Sequence, residues 1–429
     1  MPAAKKPTRP STRSATVAPH LLEPKLTRVT ARSHRAFHEA IALGFQEPIR
    51  PEVTELDKKL AEHDRFFGFT VDGRWIATCG AFTRTLTVPG GAAVPVAAVT
   101  NVTVQGPFHR RGLLRRMMQH QLEDVAARGE SLSVLWASEA SIYGRFGYAP
   151  AASRSKLSGT SARLQFLPGV SAAGSVDEVD RQTFLDAAVP LHTAWRSNRP
   201  GNLDRPGSWW DHALFDAEFH RDGAGELRHL LHFDEAGDVD GYATYRFKGD
   251  WSATGPDGEI RIGELAAGDT QAYAGLWRYL LDVDLARSFS LNLAPVDTPL
   301  RHLVTDARAI RTEISDNLYL RVVDVAAALA ARTYRTDIDV VLQVSDPLLD
   351  GNTGRFRLRG GPAGATVTRA RGGADLELGI LELGAVYLGG VSLELLHRSG
   401  RIREHTPGSA SVTSLAFGSD LAPWCPDHF

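Results

Sequence analysis

Apolar and polar positions fall into three blocks with different rhythms. In the first, residues 66–71, 74–82 and 94–104 are dense in aromatic and β-branched side chains and read as consecutive strands. Asp72-Gly73 between two of them is a hairpin signal, and Pro89-Gly90-Gly91 marks the next turn. Residues 33–44 carry Phe37, Ala40, Ile41 and Leu43 at helical spacing. Gly106 and Pro107 stop the third strand, after which Leu113, Leu114, Met117, Leu122 and Val125 recur as on one helix face. A strand follows at 132–136. This strand–helix–strand material predicts a first α/β unit over residues 27–150.

The second block, residues 151–310, repeats that material. Strands read at 228–233 and 241–247, and a helix over 270–285 presents Tyr273, Leu276, Trp277 and Leu280 on one face. The third block, residues 311–429, alternates at Val340, Leu342 and Val344, and continues through Phe356, Leu358 and residues 365–369, with a turn at Gly360-Gly361-Pro362. Residues 375–383 and 386–396 read as helices, interrupted by Gly384 and Gly389-Gly390. The expectation is a sheet with helices laid on one face, and an α+β chain throughout.

Composition narrows the function classes. A chain of 429 residues exceeds one ordinary core, so several domains are expected. A net charge of −2 implies no bulk attraction to nucleic acid or acidic membranes. The two cysteines, Cys79 and Cys425, could bridge each other but cannot build a disulfide framework or a thiolate metal cluster, which fits a reducing cytoplasm. No apolar run approaches the roughly 20 residues that span a bilayer. Residues 1–26, rich in Pro, Ser, Thr and Ala with Lys5, Lys6, Arg9 and Arg13, read as a disordered tail and not as a secretory signal. His212, His220, His229 and His232 lack a ligand motif, so no metal is expected. Serine-hydrolase elbows and nucleic-acid-reading motifs are also missing.

The candidate chemistry lies between Val102 and Pro150. A helix starting after Gly112 leaves N–H groups unpaired at its positive end, and Arg110, Arg111, Arg115 and Arg116 add full charges. Gly112 has no Cβ, so a phosphate could approach the backbone closely. The Walker A and dinucleotide-binding glycine patterns are absent. A pyrophosphate at a strand-to-helix junction fits, and so does a solvated basic helix start that binds nothing.

The segment His109-Arg110-Arg111-Gly112-Leu113-Leu114-Arg115 resembles the acyl-coenzyme A loop of the GCN5-related N-acetyltransferases, Arg/Gln-x-x-Gly-x-Gly/Ala. It departs at His109 and at Leu114. Ala-Ser-Glu at 137–139 followed by Ile-Tyr-Gly-Arg-Phe-Gly-Tyr at 142–148 resembles the enhanced intracellular survival (Eis) branch, whose members acetylate aminoglycosides and other amines. The likeness runs from about Phe37 to the last residue. It implies two acetyltransferase-like mixed-sheet domains, the second degenerate, then a sterol-carrier-like domain, assembled as a homohexamer.

Acetyl transfer to an amine needs an acceptor for the amine proton, a donor for the oxyanion and a proton or donor at the departing thiolate. The resemblance assigns the last task to Tyr143 and the first to the α-carboxylate of Phe429. Taken by itself, Tyr143 reads better as core packing than as a catalytic acid. For acetyl-coenzyme A, Val102, Thr103 and Val104 would bond the pantetheine arm. Arg110, Arg111, Gly112, Leu113, Leu114 and Arg115 would hold the pyrophosphate, with Ser138 and Glu139 in further contacts. Phe45 and Glu47 match aromatic and acidic positions of the acceptor pocket, Glu47 standing where some members have Asp. Trp195, Trp209 and Trp210 are further candidate walls, or core. The rival from another class is a non-catalytic acyl-coenzyme A or lipid-binding sensor, motivated by His109 and the carrier-like domain.

Overall fold

The computed structural model describes residues 23–429. The first block gives β1 (Lys25–Arg28), α1 (His34–Phe45), α2 (Pro51–Leu60), β2 (Phe67–Val71), β3 (Arg74–Thr87), β4 (Ala93–Val104), α3 (Leu113–Ala127), β5 (Leu132–Leu135), the one-turn α4 (Ala140–Tyr143) and β6 (Ala149–Pro150). Asp72 and Gly73 both have positive φ, 48° and 75°, the geometry of a tight hairpin turn that follows strand twist. Most of the expected tail lies outside the described residues. Lys25 and Leu26, however, pair with β2 as the sheet's edge strand.

The second block gives β7 (Ser153–Thr160), β8 (Ser175–Val179), α5 (Arg181–Trp195), α6 (Trp209–Ala213), β9 (Arg228–Phe233) and β10 (Val239–Lys248). A small hairpin of β11 (Trp251–Ser252) and β12 (Gly255–Pro256) follows, then β13 (Gly258–Ala267), α7 (Thr270–Leu281), β14 (Ala286–Pro295), α8 (Leu300–Leu303), β15 (Ile310–Asp316) and β16 (Tyr319–Val322). Asp269 caps α7, its side chain accepting from the N–H groups of Gln271 and Ala272 at 2.8 and 2.9 Å. The helix ends at Leu281, short of 285. The strand order β15-β7-β14-β13-β10-β9-β8 shows that residues 310–316 close the second sheet. Residues 319–322 return to the first sheet, whose order is β1-β2-β3-β4-β5-β16-β6. The third sheet therefore begins later than residue 311.

That third domain has α9 (Val325–Ala331), β17 (Ile338–Ser345), β18 (Gly354–Gly361), β19 (Gly364–Arg369), β20 (Leu376–Gly379), α10 (Ile380–Val386), α11 (Leu393–Arg398), β21 (Arg403–Glu404) and α12 (Ser409–Phe417). The helix expected at 375–383 is instead strand β20 followed by α10. Leu376 and Leu378 alternate inward, a period of two, and the strand pairs in parallel with β17. The helix expected at 386–396 is broken too. Gly389 takes φ 86°, and a new helix starts only where Ser392 caps it through the Leu395 N–H at 3.2 Å.

The two faces of the first sheet carry different cores. Under α3 lie Ile76, Met117, Leu122 and Leu135; under α1 lie Phe37, Phe66 and Trp75. The α1-side core runs on into the third domain through Ile380, Leu383 and Phe417, so these two domains share one interior. Cys79 and Cys425 are both free and buried, in cores on opposite faces of that sheet.

Candidate active site

The site begins where β5 ends and its parallel neighbour β4 runs on, leaving an open fork at the sheet. Strand β4 pairs with β5 only from Val96–Leu132 to Val99–Leu135. Beyond that β4 continues to Val104, with β3 as its only partner strand among the described residues. A register shift near Gly80 and a positive φ of 56° at Asn101 turn the strand there. Thr78 pins the bend, its Oγ1 donating to the Asn101 carbonyl at 2.7 Å and lying 2.7 Å from Thr103 Oγ1. The edge from Thr100 to Val104 thus faces a fork with backbone groups that no strand pairs, which suits an extended amide-bearing arm. Val102, Val104, Leu114 and Ile142 are half-buried around it.

The loop after β4 ends at a positive helix terminus. Arg110 and Gly112 have φ of 60° and 76°. A Cβ on Gly112 would meet nothing within 4 Å, so the backbone is open to a ligand. Among the described residues Arg110, Arg111 and Arg115 are exposed and make no ion pair. Cations at a helix N-terminus oppose the dipole, at about 0.3–1 kcal/mol each, and a bound phosphate would reverse the sign. His109 Nε2 lies 2.7 Å from the Val104 carbonyl, so this departure from the family pattern folds the loop back onto the strand. Leu113 is buried and anchors the helix.

Tyr143 ends α4, in the α3-side core, with 5% of its surface exposed. Burial first, and then Cys79 and Glu139, push its ionisation up to about 12, against a lowering hydrogen bond from Ser138. Ser138 and Glu139 themselves are exposed on the segment leading out of β5.

The chain end reaches the same fork from the other face. Trp136, the residue after β5, donates its indole N–H to the Asp427 carbonyl at 2.8 Å, and its ring lies 4.7 Å from that of His428. Phe429 packs on the α1-side core. Tyr143 and Phe429 therefore approach from opposite faces of the sheet, and no hydrogen bond or ring contact joins them among the described residues.

Phe45 and Glu47 follow at the end of α1, beside β4. Phe45 is 39% exposed. Residues of the second domain face them: Phe219 lies under Arg50 at 3.7 Å, and Arg50 and Glu47 are among the charges acting on His220. Trp209 and Trp210 are buried and support Arg84 and Arg205, while Trp195 stacks on Tyr242. The residues missed from sequence are those gripping the tail: Trp136, Arg84, Arg205 and Asn317. Their one legible signal was the dense ending Trp-Cys-Pro-Asp-His-Phe.

A β4 edge that runs on past the end of β5, beside a basic strand-to-helix loop, suits an acyl-coenzyme A-using acyltransferase, and the class is set by comparison with known families. Residues 25–151 and 201–322 each match an acetyltransferase (GNAT) domain, and residues 325–426 match a sterol carrier protein domain. The chain is a tandem GNAT N-acetyltransferase, with acetyl-coenzyme A as the cosubstrate that fold implies. It is 42% identical over 395 residues to an uncharacterised N-acetyltransferase of Streptomyces coelicolor, spanning 90% of this chain and 94% of that one. It is 35% identical over 345 residues to N-acetyltransferase Eis of Mycobacterium tuberculosis, spanning 78% and 81%. Eis1 from Mycobacterium abscessus superposes with a TM-score of 0.82 at 33% identity, covering 95% of this chain and 100% of the other. The chain belongs to the Eis family of N-acetyltransferases, and the sensor reading gives way to an enzyme.

Proposed function

We propose that this enzyme acetylates amines of small polycations, polyamines and aminoglycosides among them, by direct attack on acetyl-coenzyme A in the cytoplasm. The observation that supports this reading is the chain end held at Trp136, the residue after β5, by a hydrogen bond to the Asp427 carbonyl and a ring contact with His428. Val102, Thr103 and Val104 hold the pantetheine arm. The pyrophosphate lies against Arg110, Arg111, Gly112, Leu113, Leu114 and Arg115, with Ser138 and Glu139 at its flank. The exposed Glu47 carboxylate and the Phe45 ring take the cationic acceptor.

Tyr143, with an ionisation near 12, stays protonated at working pH. Full transfer to a thiolate, whose conjugate thiol is the stronger acid, is then uphill. The phenol therefore acts first as a hydrogen-bond donor to the developing thiolate. An α-carboxylate, whose reference pKa is near 3.5, is a weak base toward a free ammonium. That of Phe429 orients the amine and takes its proton after the N–C bond forms and the nitrogen becomes acidic. The products are an amide and free coenzyme thiol.

Thiol release with acetyl-coenzyme A and a multi-amine acceptor tests the reading. Tyr143→Phe should lower kcat by about 100-fold with coenzyme affinity kept. Deleting Phe429, or extending the chain beyond it, should lower turnover by at least about tenfold. An unchanged rate in either variant removes that residue from the mechanism. The sterol-carrier-like domain serves architecture, consistent with the core it shares with the first domain. A homohexamer is part of the proposal. Leu395, Val412 and Leu415, all more than half exposed on α11 and α12, offer an apolar contact face, and sedimentation of Leu415→Glu beside the parent chain tests it.

A further inference from the structure

The terminal residue can act only if the tail is held, because chain ends ordinarily fray. Here the last eight residues have no helix or strand of their own, yet they are gripped along their length. Trp424 N–H donates to the Pro200 carbonyl at 3.0 Å. Cys425 exchanges two hydrogen bonds with the Asn317 side chain, at 2.8 and 3.1 Å. Gly201, at φ 96°, lets the second domain come this near, since a Cβ there would stand 2.8 Å from the Trp424 carbonyl oxygen.

The strongest grip is on Asp427. Its side chain is 4% exposed, and its Oδ1 lies 2.7 Å from Arg205 Nε and 4.0 Å from Arg84 Nη2. Arg205 belongs to the second domain and is itself held by Glu264 at 2.9 Å, which accepts from the Tyr242 hydroxyl at 3.0 Å. Arg84 comes from β3 of the first domain, is held by Asp204 at 3.1 Å and lies 3.9 Å from the Trp209 ring centroid. Burial alone would raise the Asp427 carboxyl, but Arg205 and then Arg84 outweigh it and hold it ionised below its usual range. Two residues separate this fixed charge from the α-carboxylate. Its backbone carbonyl is meanwhile tied to Trp136 at the fork. Desolvation offsets much of the attraction in a buried ion pair, so its net stability is small even where its geometry is fixed.

We propose that Asp427 is a positioning residue which, clamped between Arg205 and Arg84, sets Phe429 at the acyl-transfer site, and that the second acetyltransferase-like domain serves as the receptor for the tail. This rests on the reading of Phe429 as the residue that receives the amine proton. The second domain then has a task that needs no coenzyme site of its own. It supplies Pro200, Gly201, Arg205 and Glu264 to a chain end that works on the first domain.

A double-mutant cycle on the full chain tests the clamp. The partners are Asp427→Asn and deletion of Phe429, read by kcat, acceptor KM, acetyl-coenzyme A affinity and thermal unfolding. Asp427→Asn should lower kcat by about 10- to 100-fold with coenzyme affinity unchanged. In the Phe429-deleted chain it should cause no further loss. Parent-like kcat in folded Asp427→Asn overturns the proposal, as does an equal loss in both backgrounds. If Asp427→Asn does not fold, Trp136→Phe replaces it in the same cycle, since it removes one hydrogen bond to Asp427 and keeps a ring beside His428. A loss with Trp136→Phe that vanishes in the Phe429-deleted chain supports the clamp, and a loss that persists there sinks it. Full turnover after Phe429 deletion would instead remove the terminal-residue reading itself, an outcome distinct from failure of the clamp alone.

Discussion

Gly44 of α1 lies so close to Thr103 of β4 that a Cβ on the glycine would stand 2.5 Å from the threonine Cβ. Thr103 is one of the strand residues facing the fork; Phe45 follows Gly44 directly, and Glu47 stands two residues beyond Phe45. The close approach couples the proposed acceptor wall to the strand that carries the acyl donor. Gly44→Ala should therefore push the end of α1 off the strand, costing about 1–3 kcal/mol of stability. It should raise acceptor KM more than coenzyme KM. An intact melting temperature with unchanged acceptor KM would show that the contact yields without consequence.

Gly112 offers a separate handle on the donor. With φ at 76°, a β-branched side chain there is strained by about 1–2 kcal/mol, although the space around it is open. Gly112→Val should stand a side chain in front of the free helix N–H groups. Acetyl-coenzyme A KM should rise about tenfold, equivalent to about 1.4 kcal/mol, with kcat at saturation nearly kept. Coenzyme titration by calorimetry measures the same loss without turnover. A KM equal to the parent's would take this loop out of pyrophosphate binding.

The union of the first and third domains depends on a buried charge. Arg321 of β16 and Asp346 beyond β17 pair at 2.6 Å with neither side chain exposed, and Arg321 also donates to the Phe146 carbonyl at 2.9 Å. Removing Asp346 leaves the Arg321 guanidinium charged and buried, with the Phe146 and Val322 carbonyls but no carboxylate beside it. Asp346→Ala should cost about 3–5 kcal/mol, read by chemical denaturation. Replacing both by apolar residues of similar volume should recover most of that. A loss below about 1 kcal/mol for the single variant would mean that water reaches the guanidinium.

The local parts of this fold were legible because their rhythm is local. The run at 94–104 is dense in β-branched residues, Asp72-Gly73 dictates its own turn, and Leu113 to Val125 keep one helical face. The crossovers were not. Tyr-Leu-Arg-Val at 319–322 is four residues long with an arginine inside, so nothing local says that it enters the first sheet between β5 and β6. Leu376, Ile380 and Leu383 fall at helical spacing while Leu376 and Leu378 alternate as in a strand, so this short run fits either period. The loop arginines and Tyr143 stood out through their motifs. Arg84, Arg205 and Asn317 act only through a tail more than 100 residues further on, and such pairings leave no mark on short-range spacing.

Acid should weaken the protein through histidines that fold in the neutral form. His34 is buried, and burial first, then His63 and His38, lower its ionisation from the usual 6.5. His192, His212 and His229 are lowered as well, each mainly by burial. Such groups bind protons more weakly in the folded chain than in the unfolded one. Between the lowered values and 6.5 the unfolded state holds the extra protons, so stability is full above 6.5 and falls as pH drops below it. Each extra proton contributes a slope of about 1.4 kcal/mol per pH unit. Melting temperature measured from pH 8 to 5 should hold steady at first and then decline from about pH 6.5. His34→Gln should flatten that decline, because an uncharged side chain carries no proton linkage. A decline that begins only near pH 4.5, in the carboxylate range, and is the same in both chains would assign acid sensitivity to Asp and Glu instead.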